Sequence, residues 1–166
     1  RLAANGAPGS GLYAGYGMFM NMGPTLGNSN PFQLREHDGN GALLSGSGDW
    51  LALANGVASG AAGYASDTQY TYMMSLTRNA TNGLDIRSTM SGGNIGGTGS
   101  VAVSFTDPTA SFTFDTFSLR PSSASGTAAQ FDTSLFRVDY SPVPEPATLS
   151  LCGFAALAGV AIARRK

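Results

Sequence analysis

The chain has 166 residues, which predicts one domain with a tail, and its 42% apolar content with nine Phe and six Tyr argues against a disordered protein. Only 11% of the residues are charged, while 23 are glycine, a composition typical of a packed, turn-rich β-protein. The sequence before Pro144 contains six arginines, nine carboxylates and no lysine, so nucleic-acid binding through a basic patch is excluded.

The chain opens at Arg1 in a glycine-rich, loop-like stretch, with no basic-then-apolar leader before the domain. We expect residues 1–140 to be a fragment of an outer domain whose first strands are absent, the alternative being that a leader has been removed. Cys152 is the single cysteine, so no intramolecular disulfide or cysteine metal site is expected.

Seven segments before the tail have the composition of β-strands, and almost no stretch has a helical apolar period. Leu84 and Ile86 alternate with polar residues, as a sheet with one buried face requires. Asn82-Gly83 is a hairpin signal, and Asp38-Gly39-Asn40-Gly41 predicts a second tight turn. The pattern predicts an all-β fold, an antiparallel β-sandwich. The predicted strands cover 18–22, 31–37, 69–78, 83–90, 101–105, 112–120 and 135–140.

A looser likeness concerns the type of sandwich. Residues 70–78, Gly83-Leu84-Asp85-Ile86, Phe112-Thr113-Phe114-Asp115-Thr116-Phe117 and the closing 136–140 resemble a bacterial LamG-like, concanavalin A-like jelly roll. The resemblance implies an N-terminally truncated jelly roll with exposed edges. It leaves open a carbohydrate- or partner-binding module, and also an exported LamG-like hydrolase whose catalytic residues lie in missing N-terminal sequence.

No set of catalytic residues is visible. His37 is the only histidine, and we interpret it as a solvent-facing or turn-adjacent residue rather than part of a triad. A glycosidase needs two placed carboxylates, and Glu36 has only Asp38 near it in a suitable pattern, at the start of a glycine turn. We therefore predict that the chain is not an enzyme and that it has no catalytic residue and no obligatory cofactor or metal.

Four residues are candidates for ligand or calcium contacts. Asp38, Asn40 and Asp49 offer oxygen ligands from neighbouring loops, as calcium sites of LamG-like domains do, although turn formation by the same side chains is the simpler interpretation. Trp50 is the only tryptophan, and it either stacks on a sugar ring or fills a core. The core interpretation is favoured, because a lone tryptophan between apolar residues usually packs inside.

The tail has three parts in a fixed order. Residues 141–146 form a linker in which Pro144, Glu145 and Pro146 impose an extended, accessible conformation. Residues 147–163 carry no charge over 17 positions, about 25 Å as a helix, enough for a short transmembrane helix. The cations Arg164, Arg165 and Lys166 follow as a cytoplasmic basic tail, which predicts an outer domain in the periplasm.

This tripartite arrangement at 144–166 resembles the PEP-CTERM sorting domain of Gram-negative bacteria. The resemblance implies that exosortase, a membrane transpeptidase-like enzyme, recognises and cleaves near the motif, so that Cys152 belongs to a substrate and is not catalytic. It implies lipid contact through 147–163, an inner-membrane stage, and final placement at the cell surface or in the extracellular matrix. It also implies a link to exopolysaccharide and biofilm, with polysaccharide as a candidate partner.

Overall fold

The computed structural model describes residues 14–27, 29–38, 47–110, 112, 114, 116–119 and 132–141. The described residues up to 119 belong to one compact unit, and residues 132–141 belong to a second. The described residues of the first unit form six β-strands in two antiparallel three-stranded sheets, packed face to face in a sandwich-like arrangement. The predicted all-β fold is confirmed for this part of the chain.

The first sheet has the order β1-β2-β3, with β1 at Ala14–Met20, β2 at Phe32–Asp38 and β3 at Trp50–Asn55. A short 3₁₀ helix, Ser47–Asp49, leads directly into β3. The pairing of β2 with β3 shifts register between Leu34 and Arg35, which marks a bulge-like irregularity.

The second sheet has the order β4-β5-β6, with β4 at Thr71–Arg78, β5 at Leu84–Ser91 and β6 at Ser100–Asp107. Its two pairings run without a shift over eight residues each. The predicted hairpin at Asn79–Gly83 is confirmed: the Asn79 amide donates to the Gly83 carbonyl, and Asn82 has a φ of 65°. Asparagine tolerates this left-handed conformation better than most residues. A 3₁₀ turn at Ile95–Gly97 connects β5 to β6.

The hydrophobic core lies between the sheets. Alternate residues of β5 are buried from Leu84 to Met90, and Phe32 and Leu34 of β2 belong to the same core cluster with no exposed surface. The connection after β3 passes close to β6, where a methyl group on Gly56 would come within 2.6 Å of the Ala102 carbonyl oxygen. In so closely packed a core, removal of one large side chain costs about 2–5 kcal/mol.

Some of the observed strands differ from the predicted ones. The strand expected at 18–22 begins at Ala14 and ends at Met20, and β3 was not predicted as a strand. The described residues of 112–120 and 135–140 form no strand. Their alternation is genuine, but Phe117, Leu119 and Leu135 are exposed by 60–77%, and an alternating segment becomes a strand only when a sheet edge pairs with it.

The jelly-roll type is a finer prediction than the described strands support. Consecutive strands pair with each other in both sheets, so each sheet is a meander, and β3 to β4 is the connection between them. A jelly roll has strands that alternate between its sheets more often. The LamG-like assignment stays a prediction.

Candidate binding face and sorting tail

Four side chains form a compact group on the outer face of the first sheet. Strand β2 turns Phe32 and Leu34 toward the core, so by alternation Arg35 and His37 lie on the opposite face. The register brings Trp50 of β3 opposite His37, and Phe19 of β1 opposite Gln33 on that face. We call Phe19, Arg35, His37 and Trp50 the aromatic face.

The indole of Trp50 reaches across this sheet to β1, where Gly17 leaves room for it. A methyl group on Gly17 would come within 2.7 Å of Trp50 Cζ3, so the ring rests directly on the backbone of β1. Its indole nitrogen Nε1 is buried and has no hydrogen-bond partner within the described residues. Packing therefore holds the ring. The expected core position is wrong: Trp50 is half-buried on the outer face and lies apart from the core between the sheets.

Two aromatic contacts orient the indole. The rings of Phe19 and Trp50 have centroids 5.3 Å apart and meet at 64°, and those of His37 and Trp50 are 4.8 Å apart at 83°. Such edge-to-face pairs contribute about 0.5–1.5 kcal/mol each beyond area burial. The ring is thus held in one orientation with part of its surface in water.

Arg35 is fixed in the same group. Its guanidinium carbon lies 4.6 Å from the centre of the Phe19 ring, and Nε donates to Gln33 Oε1 over 2.6 Å. Nη1 donates to the Ser47 carbonyl over 3.1 Å, which ties β2 to the turn before β3. Gln33 in turn donates to Asn55 Oδ1 over 2.7 Å. A planar cation in a held position recognises hydroxyl or carboxylate oxygens better than a mobile one.

Of the two settings expected for His37, solvent-facing or turn-adjacent, the structure contradicts the first. Its side chain is only 3% exposed, because β2 is the central strand and the indole of Trp50 covers it. Sequence position gave no sign of this burial, since the strand that supplies Trp50 was not predicted.

The candidate calcium ligands separate into described and undescribed positions. Asp38 ends β2 and Asp49 immediately precedes Trp50, so both lie next to the His37–Trp50 pair, at the end of the pairing where the chain leaves β2 and enters β3. Asn40 lies outside the described residues. Within the described ranges, no group of three His, Cys, Asp or Glu side chains is close enough to hold a metal ion. Calcium binding here stays a prediction.

A second polar group, missed by the sequence reasoning, lies where the two sheets meet. Tyr16 is paired with Glu36 across β1 and β2, and its hydroxyl donates to Asp107 at the end of β6. Burial would raise the pKa of Asp107, but hydrogen bonds from Tyr16 and Thr109 hold it below its ordinary value. Burial, and then the nearby Asp107 charge, raise the pKa of Glu36. The residue expected to accompany Glu36 was Asp38, but the carboxylate that affects its pKa is Asp107, 71 positions along the chain.

One feature of the sequence indicates the position of the aromatic face. Glycines alternate with larger residues at Gly15 and Gly17 of β1, a spacing that leaves one face of a strand open to a neighbouring ring. The long-range partner of Tyr16 has no comparable signature.

The sorting residues Pro144, Glu145 and Pro146, the span 147–163 and the cations Arg164, Arg165 and Lys166 lie outside the described residues. The part of the chain that is described holds no helix of the length and apolarity that a membrane crossing needs. The transmembrane helix stays a prediction from sequence.

Comparison with known proteins gives one result for the tail. No curated protein and no solved structure matches the chain. Residues 142–166 match the family model described as the PEP-CTERM protein-sorting motif. This motif is the recognition signal of exosortase and marks exported proteins, so the chain carries an export and sorting signal at 142–166.

Proposed function

We propose that this chain is a non-enzymatic surface or extracellular-matrix protein that is held in the inner membrane by residues 147–163 until exosortase processes it. The match of residues 142–166 to the sorting motif is the observation that carries this proposal. The outer domain faces the periplasm before processing, and it reaches the cell surface or matrix afterwards.

The physical chemistry of the tail supports this order of events. A helix pairs every backbone group internally, so 17 uncharged residues can sit in hydrocarbon at low cost. The terminal cations Arg164, Arg165 and Lys166 resist transfer across the membrane and keep this end in the cytoplasm. Two prolines around Glu145 hold the strip beyond the lipid extended, so that a protease-like enzyme can bind it without unfolding the domain.

The aromatic face supports a carbohydrate-binding role for the outer domain. Trp50 presents part of an oriented ring, and Arg35 presents a fixed cation beside it. An aromatic ring flanked by planar donors suits the apolar face and hydroxyl groups of a sugar. The proposed ligand is an exopolysaccharide of the producing cell's own matrix.

Cellular fractionation of the full chain tests the sorting proposal. Pro144-Glu145-Pro146→Ala-Ala-Ala should leave uncleaved protein in the inner membrane, because the extended recognition strip is lost. Pro108→Ala is the matched control, since it removes an exposed proline from the turn after β6, far from the motif in sequence. Normal release of the triple-alanine variant would contradict the proposal.

Binding of the released protein to an array of glycans, with and without calcium, tests the molecular role. Trp50→Ala should lower the signal by about tenfold or more, whereas Tyr140→Ala, at an 85% exposed aromatic, should leave it unchanged. Thermal unfolding of both variants separates lost binding from lost fold. Binding to no glycan by the folded wild-type protein would leave a purely structural role.

A further inference from the structure

We propose that the ligand of the aromatic face is an acidic polysaccharide, and that the guanidinium of Arg35 binds a carboxylate on one of its sugar residues. This ligand class refines the carbohydrate-binding role proposed above and rests on it, because both use the same face.

The hydrogen bonds of Arg35 to described residues all go to neutral acceptors. Its Nε donates to the Gln33 side-chain oxygen over 2.6 Å, and Nη1 donates to the Ser47 carbonyl over 3.1 Å and, more weakly, to the Trp50 carbonyl over 3.5 Å. Among the residues that the structure describes, no carboxylate forms an ion pair with this guanidinium and no acceptor lies opposite Nη2. The group is therefore held in place while its charge stays uncompensated.

The surroundings of Arg35 increase what an anionic partner would contribute. The side chain is half-buried, and its guanidinium carbon lies 4.6 Å from the centre of the Phe19 ring, so water reaches this cation less than it reaches an exposed arginine. An ionic hydrogen bond is stronger where the local dielectric is lower than that of water. A carboxylate that binds here would therefore gain more than it would at a fully exposed cation such as Arg87.

The indole of Trp50 indicates what kind of molecule carries the carboxylate. Its ring is partly exposed and lies 5.3 Å from the Phe19 ring, so apolar aromatic surface lies in the same group as the Arg35 cation. The C–H face of a sugar ring packs on aromatic surface, and a carboxylate matches the planar guanidinium. A uronic acid combines both features in one residue. A neutral sugar would offer Arg35 only hydroxyl groups, which bind a cation less strongly than a carboxylate does.

The charge of the outer domain makes this recognition local. The sequence before Pro144 has nine carboxylates against six arginines, so its overall field does not attract a polyanion. Attraction must then come from a cation placed beside the binding surface. The affinity for an acidic polymer should consequently depend on Arg35 far more than on an arginine elsewhere in the domain.

Binding of uronate polymers and of their carboxyl-reduced forms tests this assignment. The probes are polygalacturonate, alginate and hyaluronate, each compared with the neutral polymer obtained by reduction of its carboxylates. The protein is the full chain in a neutral detergent with Arg164→Gln, Arg165→Gln and Lys166→Gln, because the terminal cations attract polyanions by themselves. At least one acidic polymer should bind about tenfold or more tightly than its reduced form.

Two further measurements locate the contact. Arg35→Gln in this background should reduce the preference for the acidic polymer to about twofold or less, whereas Arg87→Gln removes the same charge from an exposed position on β5 and should keep the preference. Thermal unfolding shows whether each variant is folded. The emission of Trp50, the only tryptophan, should change when the polymer binds, and this readout needs no substitution at Arg35.

Several results would overturn the proposal. Equal affinities for every acidic polymer and its reduced form would do so, as would a preference that Arg35→Gln and Arg87→Gln weaken equally. A preference that a calcium chelator removes and that persists in Arg35→Gln would assign the carboxylate to a calcium ion. Binding without a change in Trp50 emission would place the polymer elsewhere.

The same measurements separate this proposal from the function on which it rests. Binding of neutral glycans but of none of the three acidic polymers would overturn the acidic ligand alone. Binding of no glycan at all by the folded protein would contradict the carbohydrate-binding role, and the acidic ligand with it.

Discussion

The hydroxyl of Tyr16 on β1 donates a hydrogen bond to the carboxylate of Asp107 at the end of β6, 91 residues away in sequence. Asp107 is only 3% exposed, and Thr109 donates to its other oxygen from a backbone N–H over 2.8 Å. The bond therefore joins the two sheets through a buried, ionised group whose acceptors are satisfied.

Removal of the Tyr16 hydroxyl should destabilise the domain. Tyr16→Phe keeps the ring but leaves one oxygen of a buried carboxylate without its donor, which costs about 1–3 kcal/mol. Urea unfolding followed by circular dichroism measures the change. Tyr140→Phe removes the same group from a side chain that is 85% exposed and should shift the midpoint by nothing measurable. Equal effects of the two variants would show that the Tyr16–Asp107 bond contributes no net stability.

The carboxyl group of Glu36 should oppose stability at neutral pH. Burial, and then the charge of Asp107, raise the pKa of Glu36 above its ordinary value of 4.5 in the folded state. The folded protein therefore holds the proton of the Glu36 carboxyl group more tightly than the unfolded chain does. The stability that this gives is fully present below pH 4.5 and is lost as pH rises through the raised pKa. Glu36→Gln should be more stable than the wild type at about pH 7, and the difference should vanish near about pH 3.

The contribution of Asp107 to stability should depend on pH in the opposite direction to that of Glu36. Its pKa is lowered in the folded state, so its contribution is present above the ordinary value of 3.8 and is lost as pH falls through the lowered pKa. Free energies of unfolding measured across the acid range for the wild type and Glu36→Gln separate the two groups. A Glu36→Gln variant that is less stable than the wild type at neutral pH would contradict the assignment.

Much of the second sheet could be predicted because its signals are local. Leu84 and Ile86 alternate with polar residues, and Asn82-Gly83 fixes the turn, so strand bounds were correct within two residues. Strand β3 was missed because Trp50-Leu51-Ala52-Leu53-Ala54 has no polar alternation. Strand β3 has half-buried residues on both faces of its sheet, so its sequence is a nearly continuous apolar run. Such a run does not distinguish a strand from other buried segments.

The candidate site was harder to predict than the fold, for a physical reason. Residue type alone identifies Trp50 and Asp49 as candidate ligand contacts. The contact between Trp50 and Gly17 depends on a pairing between strands that sequence alone does not specify. The Tyr16–Asp107 contact depends on how the two sheets pack. The sorting tail was recognisable without any structure, because proline stiffness, apolar length and terminal charge all lie within residues 142–166.

The side chain of Asn79 should determine the stability of the β4–β5 hairpin. Its Oδ1 accepts hydrogen bonds from the Gly83 amide over 2.8 Å and from the Thr81 amide over 3.1 Å. Asn79→Ala loses both and should destabilise the domain by about 1–2 kcal/mol, measured by urea unfolding. Ala80→Ser changes the neighbouring residue and should leave stability within about 0.5 kcal/mol. The Asn79 amide also helps Thr106 to lower the pKa of Asp85, so an NMR titration of Asn79→Ala should find that pKa raised.

A methyl group at Gly17 should lift the indole of Trp50 from the sheet. The added carbon would approach Trp50 Cζ3 to 2.7 Å, at the far end of a side chain, so the ring can move while β1 keeps its pairing. The expected cost is about 1–3 kcal/mol. Trp50 is the only tryptophan, so the emission of Gly17→Ala should shift to the red as the ring enters water. Gly48→Ala is the matched control, because a methyl group there meets no atom within 4 Å and should change neither emission nor stability.

A double change at the same contact separates a direct clash from a general loss of packing. Combining Gly17→Ala with Trp50→Phe should cost less than the sum of the two single changes, because the smaller ring leaves space for the methyl group. Urea unfolding of the wild type, the two single variants and the double variant gives the coupling free energy. Strict additivity would mean that Gly17 and Trp50 do not contact each other.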